Sequence, residues 1–162
     1  MRVAIDGESI IGGVCSERYP KSGVGLVTYL VVAPAARGQG LGERLLREAV
    51  SALDTPLVLG EVNDPRVHGE GWERLERFQR WGARVLDARY VQPALGPGLE
   101  RDRGLLLIAF APLPDTVDGA TVRLFVEELY AATEGGAPDP ETAIPDRVAA
   151  GTCTRPGAAR GW

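Results

Sequence analysis

The chain has 162 residues, of which 44% are hydrophobic and 25% charged, and its formal net charge is −4. This length and composition are those of one ordinary globular domain, and they exclude disordered and fibrous classes. The longest apolar run, residues 25–33, is far shorter than the ~18 residues of a membrane span. The acidic balance disfavours nucleic acid and is compatible with a cationic partner such as an amine.

Cysteine and histidine usage also excludes two kinds of architecture. Cys15, Cys153 and His68 are the whole complement of these residue types, which is too few for a disulfide framework or a zinc site. We therefore expect no metal. Met1 is followed directly by a strand pattern without a long apolar leader segment, so we expect no signal peptide and a cytoplasmic location.

The first predicted elements form a β-meander. Residues 2–5 and 9–18 are predicted to form two strands. The pair Asp6-Gly7 between them is a strong signal for a hairpin turn. Gly12-Gly13 inside the second strand predicts a bulge or a close backbone approach. The β-branched run at 25–33 predicts a buried third strand, which Pro34 ends because proline cannot donate to a sheet ladder.

A glycine-rich loop then joins this strand to an amphipathic helix over about residues 41–52. The first N–H groups of a helix have no intrahelical acceptor, and glycines let a bulky anion approach the backbone. The pattern predicts a phosphate-binding loop. It matches neither common nucleotide-binding motif, because at the position of Glu43 the dinucleotide-binding motif needs glycine and the P-loop needs lysine. The candidate amides belong to Arg37, Gly38, Gln39, Gly40, Leu41 and Gly42.

The stretch VVAPAARGQGLGERLL, residues 31–46, resembles the acyl-CoA-binding motif of the GNAT superfamily of N-acetyltransferases. The resemblance implies that the loop amides hold the pyrophosphate of coenzyme A, with acetyl-CoA as cosubstrate. It also implies that the pantetheine arm lies along Leu30, Val31 and Val32, where the third strand parts from the fourth. The Val32 backbone would then bond the pantetheine amides, and the Leu30 N–H would polarise the thioester carbonyl.

The following elements continue the pattern. Residues 57–62 predict a short strand parallel to the third, because a helix connects the two. Asn63 at its end either contacts the cofactor, as the resemblance implies, or forms an Asx turn. A loop carrying His68 precedes a helix at 72–81, and LERFQRWGARVL at 75–86 resembles the second motif of the superfamily. Residues 83–91 and 104–111 then predict two strands that pair antiparallel.

One more helix follows, with Asp118 or Thr121 as its N-cap. From Glu134 onward we expect most of the chain to be extended or mobile, with Trp162 as a possible anchor for its end. The predicted organisation is an acyltransferase-like domain at 1–133 and a tail at 134–162. The apolar face of this helix comprises Val122, Phe125, Val126, Leu129 and Tyr130.

The expected fold is therefore of the α/β (α+β) class, GNAT-like, with a mixed, mostly antiparallel central sheet and flanking helices. Members of the superfamily usually have a strand and two helices ahead of the meander, and this sequence lacks a matching segment. We expect the last helix to cover the sheet face that those helices would cover, or to pack on a second subunit in a homodimer.

The resemblance implies an N-acetyltransferase that acts on a primary amine of a small molecule or peptide. Leu26 stands where some members have a glutamate base, and Phe78 stands where many have a tyrosine acid. Glu61 and His68 are the candidate proton-transfer groups. Catalysis without a dedicated base is a further alternative, as is a non-catalytic CoA-binding or regulatory module. Weaker proton-transfer candidates are Asp64, Tyr29 and Tyr90.

Overall fold

The computed structural model describes residues 1–69, 71–110 and 113–156. They form an eight-stranded mixed sheet in the order β1-β2-β3-β4-β6-β5-β8-β7, in which β3 and β4 are parallel and the other neighbours antiparallel. The predicted α/β class with a mostly antiparallel sheet is confirmed. The strands are β1 Arg2–Asp6, β2 Ser9–Tyr19, β3 Val24–Val32, β4 Leu57–Asn63, β5 Arg84–Leu86, β6 Leu105–Ala109, β7 Thr116–Asp118 and β8 Arg147–Gly151.

The helices flank this sheet on both faces. They are α1 Leu41–Leu53, α2 Pro65–His68, α3 Trp72–Arg80 and α4 Gly119–Thr133. Asp118 caps α4 by accepting hydrogen bonds from the N–H groups of Ala120 and Thr121, which decides between the two predicted N-caps. Among the described helices, none combines the length and the apolar character needed to cross a membrane.

The central strands are apolar on both faces because helices cover both. On β4, Val58 and Val62 pack with α1 and α3, whereas Leu57 and Leu59 pack with α4. Strand β6 alternates in the same way, as its unbroken apolar sequence predicts. Of the two expectations for the last helix, the one in which it packs on the sheet of its own chain is confirmed.

The meander contains the predicted irregularity. Ala4 pairs with Gly12 but Ile5 pairs with Ile10, so Ile11 is an extra residue on β2. A Cβ on Gly12 would lie 3.1 Å from Leu45 Cδ1, so glycine also permits a close approach of α1. The sequence left open whether this glycine pair marks a bulge or a close approach, and both are present.

Two expectations about the chain after β4 are wrong, and the segment beyond residue 133 contains an element that was not expected. The strand predicted at 83–91 ends at Leu86, where the chain turns and the N–H of Ala88 bonds the Leu86 carbonyl. The loop before α3 contains the one-turn helix α2. Beyond residue 133, where most of the chain was expected to be extended or mobile, β8 pairs with β5 and β7 and thereby joins the sheet. Ala111 and Trp162, which the sequence predictions include, lie outside the described residues.

The junction between α4 and the segment before β8 is closely packed, and this yields a stability prediction. Gly119 is buried, its N–H donates to the Asp146 carbonyl at 2.8 Å, and a Cβ there would lie 1.8 Å from the Pro145 carbonyl oxygen. We expect Gly119→Ala to lower the free energy of unfolding by about 1–3 kcal/mol, because backbone must move to accept the methyl group. Denaturant unfolding measures this.

Gly136→Ala is the matched control. A Cβ there meets no described atom within 4 Å, so we expect a change within about 0.5 kcal/mol. Equal unfolding free energies for the two variants would contradict the packing described here.

Candidate functional site

The main irregularity of the sheet is the separation of β3 from β4. The two strands pair from Val24–Leu57 to Val27–Gly60, and the pairing then stops although both strands continue. At the same level the register of β3 against β2 shifts, because Cys15 pairs with Tyr29 while Ser16 pairs with Val27. Thr28 is therefore a bulge residue, and bulges bend a strand and increase its local twist.

The register determines which backbone groups of β3 face the resulting opening. The Ala33 N–H bonds the Ile11 carbonyl at 2.9 Å. Because hydrogen-bonded and non-bonded pairs alternate in antiparallel ladders, Tyr29 and Val31 direct their N–H and C=O groups towards β2. The N–H and C=O groups of Leu30 and Val32 therefore point to the other side, where β4 has moved away.

A cavity of about 820 Å³ occupies this opening and continues through the sheet. On the α3 side its lining includes Arg74 and Phe78, and on the α4 side it includes Leu129 and Thr133. The gap between β3 and β4 thus connects the two faces of the sheet. The candidate residues that line the cavity are Tyr29, Leu30, Val31, Glu61 and Asn63.

The glycine-rich loop lies at the end of β3, and its residues 38–40 are exposed. Gly38 and Gly40 have left-handed φ values of 80° and 74°, which favour glycine. Within the described part of the chain, no group accepts a hydrogen bond from the N–H of residues 38–42. A Cβ at Gly38 or Gly40 would meet no described atom within 4 Å, so the space beside these two glycines is open.

Two further contacts fix the position of this loop. Gly42 packs against α3, since a Cβ there would lie 3.1 Å from the Trp81 ring. The Arg37 side chain turns back, and its Nε donates to the Val32 carbonyl at 3.2 Å. A carbonyl has two lone pairs, so Val32 keeps one of them for another donor.

Glu61 lies inside the cavity with both carboxylate oxygens hydrogen-bonded. The Tyr90 hydroxyl donates to one oxygen, and Gln92 Nε2 donates to the other at 2.8 Å. Burial raises the pKa of Glu61, although the bonds from Tyr90 and Gln92 oppose this shift; the charge of Asp102 adds to it. A carboxylate that is held in place and has a raised pKa can act as a base at the cavity wall.

The remaining proton-transfer candidates differ in position. His68 is exposed, adjoins Gly104 and lies outside the cavity lining. Asp64 caps α2 and accepts hydrogen bonds from the Arg66 side chain at 2.7–3.1 Å, which holds the pKa of its carboxyl below the usual range. The structure therefore brings Glu61 and Tyr90 together and keeps His68 and Asp64 apart from them.

Several lining residues have no counterpart among the sequence candidates. Gln92 and Asp102 come from the loop between β5 and β6, and Arg74 comes from the exposed face of α3. Loop residues have no periodicity from which burial can be inferred. Glu17 did lie on a predicted strand, but only the pairing of β2, β3 and β4 places it beside the opening.

Comparisons with known proteins bear on this geometry. A family model described as the acetyltransferase (GNAT) domain matches residues 1–72. A solved structure from Bacteroides thetaiotaomicron, described as an acetyltransferase of the GNAT family, is 21% identical and covers 83% of this chain and 72% of its own, with a TM-score of 0.65. The chain has the GNAT acetyltransferase fold. The resemblance noted in residues 31–46 is thereby confirmed.

Two other solved structures with this fold contain CoA or a CoA-derived compound. A Bacillus subtilis acetyltransferase in complex with CoA is 12% identical, covers 68% of this chain and 75% of its own, and has a TM-score of 0.50. Arabidopsis thaliana Naa50 in complex with the bisubstrate analogue CoA-Ac-MVNAL is 14% identical and also has a TM-score of 0.50. The match covers 67% of this chain and 70% of the Naa50 chain. Among curated protein sequences, none matches this chain.

The hydrogen bond from Tyr90 to Glu61 generates a prediction about titration. Because this bond favours the ionised carboxylate, Tyr90→Phe should raise the pKa of Glu61 further. We expect the Glu61 carboxyl carbon, followed by NMR in protein labelled with ¹³C at the glutamate carboxyl, to titrate at higher pH than in the unmodified protein.

Tyr130→Phe is the control, because the Tyr130 hydroxyl donates to the Val91 carbonyl at 2.9 Å and not to Glu61. This variant removes the buried hydroxyl group of Tyr130 and should leave the pKa of Glu61 unchanged. A Tyr90→Phe protein whose Glu61 titrates at unchanged or lower pH would contradict the assignment.

Proposed function

We propose that this chain is an acyl-CoA-dependent N-acetyltransferase that transfers the acetyl group of acetyl-CoA to the primary amine of a small molecule or peptide. The observation that carries the proposal is the parting of β3 and β4 beside a loop whose amides have no hydrogen-bond acceptor in the described chain. It provides an anion-binding loop and a passage through the sheet next to each other. The two CoA-containing structures of the same fold support the choice of cosubstrate.

Binding of the cosubstrate falls to the backbone. The amides of residues 38–42 and the positive end of the α1 dipole suit the pyrophosphate. The N–H of Val32 and its remaining carbonyl lone pair suit the amides of the pantetheine arm. Val31 contributes its exposed side chain to this surface, because its backbone groups are directed at β2. Asn63 at the end of β4 and Arg37, which bonds the carbonyl at the end of β3, lie at the carboxyl ends of the two parted strands and complete the proposed set.

The chemical step assigns one task to each of two groups. Acetyl-CoA supplies the acetyl group as a thioester. The Leu30 N–H, directed into the opening, donates to the carbonyl oxygen as negative charge develops there. Glu61 accepts the proton that the amine nitrogen loses, directly or through water, as the new C–N bond forms and the C–S bond breaks. The Tyr90 and Gln92 hydrogen bonds hold the Glu61 carboxylate in place.

The identity of residue 78 determines whether a side chain can protonate the leaving CoA thiolate. Phe78 lines the cavity and packs edge-on against Trp81 and Phe110, with ring centroids 5.6 and 6.0 Å away. A phenyl ring cannot protonate a thiolate. Since an unperturbed thiol has a pKa of about 8.5, the sulfur can leave as the anion and take a proton from water.

A non-catalytic CoA-binding module is the second candidate. Phe78 and the buried Leu26 favour it, because neither side chain can transfer a proton at the positions where the superfamily often uses one. Tight CoA binding without release of free thiol on any amine, unaffected by Glu61→Gln, would identify this module.

The loop provides a binding prediction. Valine at position 40 strains a left-handed backbone by about 1–2 kcal/mol and turns the neighbouring amides away from their present directions. We expect Gly40→Val to abolish CoA binding in isothermal titration calorimetry, with the circular dichroism spectrum retained. Gly135→Val is the matched control, since Gly135 has φ 69° and lies after α4, away from the loop. Unchanged CoA affinity in Gly40→Val would refute the placement of the pyrophosphate.

Glu61 provides a kinetic prediction. A base must be ionised, so kcat/KM should rise with pH through the raised pKa of Glu61 and not through the ordinary glutamate range. We expect Glu61→Gln to lower kcat/KM by roughly a hundredfold and to remove this acidic limb. Glu48→Gln on the exposed face of α1 should leave the profile unchanged. An identical profile in Glu61→Gln would exclude Glu61 as the base.

A further inference from the structure

We propose that the acceptor is an aliphatic diamine, of which one nitrogen is acetylated beside Glu61 while the second, as an ammonium ion, binds Glu17. This inference rests on the proposed function and specifies the class of amine. It follows from the charges and the shape of the α4 side of the cavity.

Three carboxylates line this cavity: Glu17 on β2, Glu61 on β4 and Asp102 in the loop between β5 and β6. In the described chain, none of the three forms an ion pair with a cationic side chain. The positively charged side chain of the lining is Arg74, which belongs to α3 on the opposite face of the sheet. The acceptor side of the cavity therefore carries an excess of negative charge.

The arginines nearest to Asp102 in sequence do not neutralise it. Arg101 pairs with Glu134 at 2.7 Å and with Asp139 at 3.0 Å, and Arg103 pairs with Asp139 at 3.0 Å and with Glu141 at 3.2 Å. These bonds hold the loop against the segment that follows α4, so both guanidinium groups are engaged outside the cavity. Asp102 itself accepts a bond from the Gly104 N–H at 2.7 Å.

Sheet register places Glu17 and Glu61 on the same face and at separate points. Glu17 pairs with Leu26, and Leu26 pairs with Leu59 across β3 and β4. Because Glu61 is two residues beyond Leu59, two strand spacings and two residues of rise separate the α-carbons by at least about 12 Å, and the parting of β4 from β3 adds to this distance. Both carboxylates act on the phenol of Tyr19, so both side chains extend towards the same part of the cavity.

The surface between these carboxylates suits such a chain. Leu95, Leu129 and Ala132 provide apolar contacts in the lining. The phenol of Tyr19 lies near both glutamates, since burial and the charges of Glu17 and Glu61 raise its pKa and keep it protonated. An acceptor with a single amine would leave two of the three carboxylates without a counterion, whereas a diamine supplies a second positive charge.

The test compares 1,4-diaminobutane with 1-aminobutane as acceptors, and 4-aminobutanoate as an acceptor with a negative end. We expect the unmodified protein to favour the diamine over the monoamine at least tenfold in kcat/KM. Glu17→Gln should reduce this ratio severalfold, mainly by raising KM for the diamine. Glu127→Gln, on α4 outside the cavity lining, removes the same unit of charge and should retain the ratio.

A ratio near one in the unmodified protein overturns the proposal, as does a ratio that Glu17→Gln leaves unchanged or a higher kcat/KM for 4-aminobutanoate. Any of these outcomes with measurable acetyl transfer leaves the proposed function intact.

Calorimetry with 1,4-diaminobutane and CoA distinguishes the remaining case. If no amine is acetylated, the proposed function fails. Diamine binding that is lost in Glu17→Gln and kept in Glu127→Gln would then support the ligand class, and the absence of binding would overturn it.

Discussion

The site depends on the interruption of one ladder of hydrogen bonds. A parallel pair such as β3 and β4 normally consumes the facing N–H and C=O groups of both strands. Here the bulge at Thr28 bends β3 where its pairing with β4 ends, after Val27 and Gly60. The N–H groups of Leu30 and Val32 thereby become directed at an opening. Everything that the proposed chemistry needs from the backbone follows from this separation.

Cover on both sheet faces turns the opening into a passage. Helices α1 and α3 close one face, and Gly42 lets the start of α1 lie directly against Trp81. Helix α4 closes the other face with a largely apolar surface centred on Phe125 and Tyr130. The loop between β5 and β6 is held near the end of α4, where Arg101 pairs with Glu134 and stacks 5.0 Å from the Tyr130 ring. The two sides of the cavity therefore differ in chemistry.

Glu61 illustrates how this arrangement adjusts an ordinary side chain. On an exposed strand end a glutamate would titrate near its usual pKa. At this position burial disfavours the charged form of Glu61. Tyr90 and Gln92, which are both uncharged, donate the hydrogen bonds that hold the carboxylate, so no cation of the described residues pairs with it. The side chain is fixed without an ion pair that would lower its pKa. Such a group is suited to accept a proton.

The local sequence determined the elements whose signals are local. The meander, the glycine-rich loop before α1 and the Asp118 cap depend on neighbouring residues, since turns, caps and helical periodicity are properties of short segments. The resemblance at residues 31–46 also gave the fold class, because that motif combines a strand, a loop and a helix in a fixed order.

The tertiary structure alone decided where distant segments meet. Only pairing across the sheet incorporates β8 from a tail whose composition suggested mostly extended or mobile chain, because a strand of five residues is specified by its partners. Likewise, no spacing in the sequence brings Tyr90 and Gln92 to Glu61 or separates His68 from it. Those contacts depend on long-range register and loop closure, which leave no periodic trace in the order of residues.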